Sequence, residues 1–141
     1  MSNTQYAFIQ RSSVPGRGAL QASIDGLGFD LKFHLEFDLT SDSGFLPLVL
    51  NGQDGLGFEV LGTSTAEMAE LGDELLSLAG ERDYCISMVW GSSMKDLACV
   101  MILSCALTKD FGAVVSYEGS PPESLATMLE STRDILKDAD G

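Results

Sequence analysis

The sequence predicts an α+β fold: a mostly antiparallel sheet with helices packed on one face. Two observations carry this. Apolar residues alternate with polar ones in the first half of the chain and recur at three- and four-residue spacing in the second. Five strand candidates also come first, followed by an α-β-α-β-α run, and strands segregated ahead of mixed elements mark the α+β class. At 141 residues the chain has the length of one domain, 1–141, with a core of its own.

The elements follow in order. Tyr6–Ile9 is a short strand, and Ser12 to Gly18 (SSVPGRG) is a turn. Leu20–Ile24 is the second strand candidate, ended by Asp25-Gly26. Phe29, Leu31, Phe33, Leu35, Phe37 and Leu39 alternate with Asp30, Lys32, His34, Glu36 and Asp38, which specifies a long strand with one apolar and one wet face. Residues 45–50 (FLPLVL) form a strand that Pro47 confines to a sheet edge or a bulge. Asn51 to Gly55 is a turn, its Asn-Gly and Asp-Gly pairs supplying positive φ, and Leu56–Leu61 completes a hairpin.

Ser64 and Glu67 stand three apart, as in a capping box, ahead of a helix carrying Met68, Leu71, Leu75 and Leu78 and ending at Gly80. Tyr84–Trp90 (YCISMVW) is an apolar strand. Ser93 caps a second helix, with Asp96 at its third position, and that helix is apolar on nearly all sides and therefore buried. Phe111–Tyr117 is the last strand. It runs parallel to 84–90 if the buried helix is their crossover. Ser120-Pro121-Pro122-Glu123 starts the third helix, with Leu125, Met128, Leu129, Thr132, Ile135 and Leu136 as its apolar stripe and Lys137 to Gly141 as a frayed end.

Charge narrows the function classes. Eight basic against 21 acidic residues give a formal net charge of −13 and a pI near 4.1. With no cluster of Lys and Arg to displace counterions, neither nucleic acid nor an anionic membrane is an expected partner. A negative surface attracts cationic partners and speeds their encounter. The three cysteines, Cys85, Cys99 and Cys105, lack a CxxC pair and lie in apolar runs, so they read as core thiols in a reducing compartment. No charged segment leads into an apolar one at the start, and no apolar run approaches the roughly 18 residues of a membrane span, so the expected location is cytoplasmic.

No catalytic constellation or cofactor motif emerges. His34 is the only histidine, and Glu36 and Asp38 follow on its strand face at spacings of about 7 Å, too far apart to converge readily on one ion. Gly91-Ser92-Ser93, between a strand and a helix, is a place where backbone N–H groups can hold an anion. The glycines of residues 52–57 match no phosphate loop and read as turn residues. Neither a metal nor a cofactor is expected. Glu67, Glu70, Asp73 and Glu74 make the exposed face of the first helix acidic, at spacings where like charges repel by a few tenths of a kcal/mol. A basic partner would compensate that repulsion. The partner-binding candidates are therefore Asp30, His34, Glu36 and Asp38 on the strand and Glu67, Glu70 and Glu74 on the helix.

The order of GFEV (57–60), an acidic helix, ISMVWGSS (86–93), an apolar helix and GAVVSYEG (112–119) before a last helix resembles small bacterial immunity-type proteins encoded beside secreted antibacterial toxins. The resemblance spans roughly residues 57–136 and is one of pattern and composition. It implies a compact, acidic, cytoplasmic, non-enzymatic protein that covers a toxin's basic cleft. An effector chaperone or adaptor, a small ligand-binding or enzymatic domain using His34 or the 91–93 turn, and a self-associating structural domain remain as alternatives.

Overall fold

The computed structural model describes residues 3–33, 44–67, 77–91, 93–118, 122 and 124–140. Its strands are β1 (Asn3–Ile9), β2 (Leu31–Phe33), β3 (Gly44–Leu50), β4 (Gln53–Ser64), β5 (Tyr84–Trp90) and β6 (Val114–Tyr117). Its helices are α1 (Arg17–Gly26), α2 (Met94–Phe111) and α3 (Leu125–Asp140), with a 3-10 turn at Arg11–Ser13 and a helical end at residues 77–79. The six described strands form one sheet in the order β2-β3-β4-β5-β1-β6, antiparallel at every pairing. The α+β class and the mostly antiparallel sheet are as the sequence predicts.

The element that organises the fold is α2. Ser93 accepts a hydrogen bond from the Asp96 amide at its start, as expected of the cap. Every residue from Ala98 to Leu107 is buried. Such a helix needs cover on all sides, and the sheet supplies one through Ala7, Ile9, Phe58, Val60, Ile86 and Met88. Helix α1 flanks α2 through Leu20 and Ile24, and α3 flanks it through Met128. Strands β5 and β6 run in the same direction, as the crossover predicts, but β1 lies between them and pairs with both.

Several sequence expectations are corrected. Leu20–Ile24 is the middle of helix α1 rather than a strand. A five-residue apolar run does not reveal its period, but Leu20, Ile24 and Leu27 at helical spacing, among Ala and Gln, favour the helix. The alternating segment becomes strand at Leu31; its residues 34–39 lie outside the described ones. The hairpin turn is Asn51-Gly52 alone, with φ of 50° and 81°, and β4 already begins at Gln53. Phe111 ends α2 rather than starting β6, because Gly112 takes the left-handed cap. The described cap of α3 is Ser124, whose hydroxyl accepts from the Thr127 amide, and α3 runs on to Asp140 rather than fraying from Lys137. The apolar stripe of α3 is buried or half-buried at all six positions.

Helices α1–α3 share one face of the sheet. The expectation that all helices pack on one face is corrected by residues 78 and 79, the described end of the helix predicted over 64–80, which cover Phe8 and Cys85 on the second face, where Ser87 and Val89 of β5 are half-buried. Over β3 and β4 that second face carries exposed apolar side chains.

Two local devices hold the β2–β3–β4 end. Helix α1 closes the outer edge of β2 with one side chain: Gln21 Nε2 donates to the Leu31 carbonyl at 2.8 Å, and Gln21 Oε1 accepts from the Phe33 amide at 3.4 Å. Pro47 sits opposite Gly57 and, as predicted, a register irregularity follows between Leu48 and Leu50. Gly57 is not a turn residue. It lies within β4 at φ 145°, its amide donates to Asp96 Oδ1 at 3.1 Å, and a Cβ there would stand 2.1 Å from the Leu46 carbonyl oxygen. Gly57→Ala is therefore expected to destabilise the protein by about 2–4 kcal/mol, since strain and overlap add. An unchanged urea midpoint would show that β3 and β4 can shift apart without loss.

Helix α1 is also fixed by carboxylates. Ser23 Oγ donates to Asp110 Oδ2 of α2, and Lys32 Nζ lies 3.1 Å from Asp25 Oδ1. The Ser23 hydroxyl and the Lys109 ammonium hold the Asp110 carboxyl below its ordinary value, and Lys32 and Gln21 do the same for Asp25. A carboxyl that is more acidic folded than unfolded stabilises above its unfolded pKa, and that stabilisation is lost as pH falls through the folded value. The double variant Asp25→Asn, Asp110→Asn should thus lose less of its thermal midpoint between about pH 5 and about pH 3 than the parent does. Parallel losses would mean that neither contact is linked to folding.

Candidate protein-binding face and adjoining cleft

Strand alternation builds the open face. In β3, Leu46, Leu48 and Leu50 point into the core, which turns Phe45, Pro47 and Val49 outward. In β4, Leu56, Phe58 and Val60 point inward, which turns Glu59 and Leu61 outward. Phe45 is 55% and Leu61 52% exposed, far above what such side chains retain in a core. Register aligns Phe45, Glu59 and Val89 in one row across three strands. Direct neighbours in such a row have Cβ atoms about 5 Å apart. The Phe45 ring lies over Gly57, with Cζ 2.9 Å from where a Cβ would be, so the missing side chain is what seats the ring. The result is a rigid apolar surface with a carboxylate at its centre. Lys32, opposite Val49 on the same face, is engaged by Asp25.

The predicted site residues fall as follows. Asp30 is exposed just before β2, and its carbonyl accepts from the Asn51 amide at 2.9 Å. Glu67 is exposed beyond the far end of β4, and its amide donates to Ser64 Oγ at 3.3 Å, as the capping box predicts. The length of β4 separates these two acids, roughly 35 Å for an extended strand of that span, so they do not form one site. His34, Glu36, Asp38, Glu70 and Glu74 lie outside the described residues. Phe45 and Leu61 were missed. The signal was present: fixing Leu46, Leu48 and Leu50 inward leaves Phe45 outward, but strands 45–50 and 56–61 were not read face by face.

A cleft of about 390 Å³ opens on the opposite, helix-covered face, between the β1–β5–β6 end of the sheet and helices α2 and α3. Sheet residues Asn3, Gln5, Trp90 and Tyr117 line one side, and Met101 and Met128 the other. Trp90, the last residue of the apolar strand β5, is buried yet forms part of this wall, its ring centroid 5.9 Å from that of Tyr117. The Tyr117 hydroxyl donates to Asn3 Oδ1 at 2.9 Å, and Asn3 Nδ2 donates to the Gly91 carbonyl at 2.9 Å. Gly91 is thereby tied to Asn3, which lines the cleft, while Ser92 lies outside the described residues. The Ser93 hydroxyl is engaged as the helix cap.

All three cysteines are buried and free, as predicted. Burial pushes the Cys85 and Cys99 thiols up to about 12 and raises Cys105 as well. Among the described residues no group of His, Cys, Asp and Glu is placed to hold a metal ion, and no helix is long and apolar enough to cross a membrane. Comparison with known proteins returns no match to any protein-family model, curated protein or solved structure. The thiols should react with iodoacetamide roughly 100-fold or more slowly in the folded than in the unfolded protein, because the thiolate is the nucleophile. Rapid labelling of any one of them at neutral pH would show an accessible thiolate and reopen the question of a reactive cysteine.

Proposed function

We propose that this chain is a non-enzymatic binding protein that neutralises a basic protein partner, in the manner of a bacterial immunity protein against a secreted toxin. The observation that supports it is the Phe45–Glu59–Val89 row beside Leu61: two exposed apolar side chains, Phe45 and Leu61, with half-buried Val89, on paired strands around one carboxylate. Exposed clusters of this kind mark interaction surfaces, since monomers seldom present contiguous apolar area without a use. An aromatic anchor with aliphatic neighbours supplies short-range affinity, while Glu59 offers a pairing site for an Arg or Lys of the partner. The net charge of −13 adds long-range attraction for a cationic surface and raises the rate of encounter. Chemistry is then not required of this chain, because covering the partner's cleft suffices to block it.

The test is co-expression with the products of neighbouring genes in a host whose growth one of them arrests. Rescue of growth together with a stoichiometric complex is the expected result. Phe45→Asp with Leu61→Asp should weaken that complex at least about 30-fold while leaving the fold intact, because both side chains are already exposed. Glu59→Lys should act chiefly on the association rate and on its salt dependence. A complex that forms while the neighbour remains growth-inhibiting would instead indicate an adaptor or chaperone. Full rescue by the double variant would remove this face from the interface.

A further inference from the structure

The geometry points to a second, small-molecule site in the cleft beside Trp90, one that takes an uncharged aromatic compound carrying a single hydrogen-bond donor. Four features of the cleft define that class. The first is size: about 390 Å³ lies within the range of small-ligand pockets. The second is the absence of charge: none of the described residues lining it is charged, in a chain with 29 charged residues. A ligand carboxylate or phosphate would meet no cation there and would be repelled by the negative surround. A ligand cation would be desolvated with no carboxylate in reach. Both are costly, so a neutral ligand is selected.

The third feature is the wall. Trp90 and Tyr117, tilted at 43° to one another with ring centroids 5.9 Å apart, supply two adjacent aromatic surfaces against which an aromatic guest can stack or pack edge-on. Met101 and Met128 stand on the helix side, and thioethers make favourable contacts at the edges of aromatic rings. The hydrogen bonds from Tyr117 to Asn3 and from Asn3 to Gly91 hold the Tyr117 ring in place before any ligand arrives.

The fourth feature is Gln5. Its side chain is only 4% exposed and lines the cleft. Both contacts of its carboxamide run through Nε2, to Ser104 Oγ at 2.6 Å and to Met101 Sδ at 3.6 Å. Ser104 in turn donates to the Val100 carbonyl at 2.8 Å, so the amide group is oriented from below. Gln5 Oε1 takes part in neither contact, and it is not among the buried polar atoms left without a partner. On the cleft wall it can accept one N–H or O–H from the guest. The assignment does not depend on the protein-binding face, which lies on the other side of the sheet.

Trp90 is the only tryptophan of the chain, so its fluorescence reads the cleft directly. The probe is para-propylphenol, added to the full chain with excitation at the red edge of the tryptophan band. A saturable change in Trp90 emission is expected. Para-propylanisole, which keeps the shape but lacks the donor, should bind about tenfold more weakly. Para-propylbenzoate should give no saturable change. Ser131→Phe, which fills the cleft from α3 without adding a second indole, should abolish the response to the phenol, with far-UV circular dichroism confirming that the variant folds. Gln5→Leu should bring the phenol and the anisole to equal affinity. No saturable response to the phenol, equal affinity for phenol and anisole in the parent, or tighter binding of the benzoate would each overturn the assignment.

Discussion

The structure depends on the burial of one helix. Ten consecutive residues of α2, Ala98 to Leu107, have no side turned to water, so the fold must surround them. The inward face of the sheet, α1 and α3 do so, and each is amphipathic because it has that single task. Connectivity follows from the same constraint. The segment β5-α2-β6 returns in the same direction one strand away, and β1 fills the gap between, pairing with both. The N-terminal strand thus lies one place in from the β6 edge of the sheet, against α2. At that contact sits the buried pair Gln5 and Ser104, which fixes how α2 is rotated over β1 in a way that apolar packing alone leaves looser.

How much of this was legible depends on how strongly each segment states its period. Ser93, the Asn51-Gly52 turn and the stripe of α3 were each readable, because a cap, a positive-φ turn and a four-turn stripe have local physical causes, whereas Gly112 was absorbed into the strand that follows it. Helix α1 was not, because its apolar residues are few and the run Leu20–Ile24 is as short as a strand. What identifies it is tertiary: Leu20 and Ile24 complete the cover of α2, and Gln21 occupies the edge of β2. Nor does a sequence state which strands are neighbours. The placement of β1 between β5 and β6, and with it the cleft under Trp90 and Tyr117, arises from pairings 75 to 112 residues apart (Ile9 with Tyr84, Gln5 with Tyr117).

The candidate sites show the same division. Reading function from charge directed attention to Asp30 and Glu67, which lie near opposite ends of β4 and share no surface feature. Exposed acids are where a chain of net charge −13 necessarily places them, so their positions carry little information about a particular site. Phe45 and Leu61 are informative for the opposite reason. Each costs free energy where it stands in water, and the Phe45 ring is seated over Gly57, whose backbone conformation and close contacts leave no room for a side chain.

Charge and contact therefore act at different ranges in this protein. The surface field extends about one Debye length, roughly 8 Å at physiological salt, and selects the sign of what approaches. It cannot choose among cationic partners, because it has little directional content. Under the function proposed here, shape and apolar fit at the Phe45–Leu61 face would supply that choice at contact. In the cleft the same field acts as a filter, turning away anions before the neutral walls and the Gln5 carbonyl are reached. The two surfaces lie on opposite sides of one sheet and share β5, which contributes Val89 to the first and Trp90 to the second. Consecutive residues of a strand point to opposite faces, so a ligand that shifts Trp90 acts on the same backbone that positions Val89. Coupling between the sites would have to pass through that strand, and its pairing on both edges makes β5 stiff enough to resist a local displacement rather than transmit it.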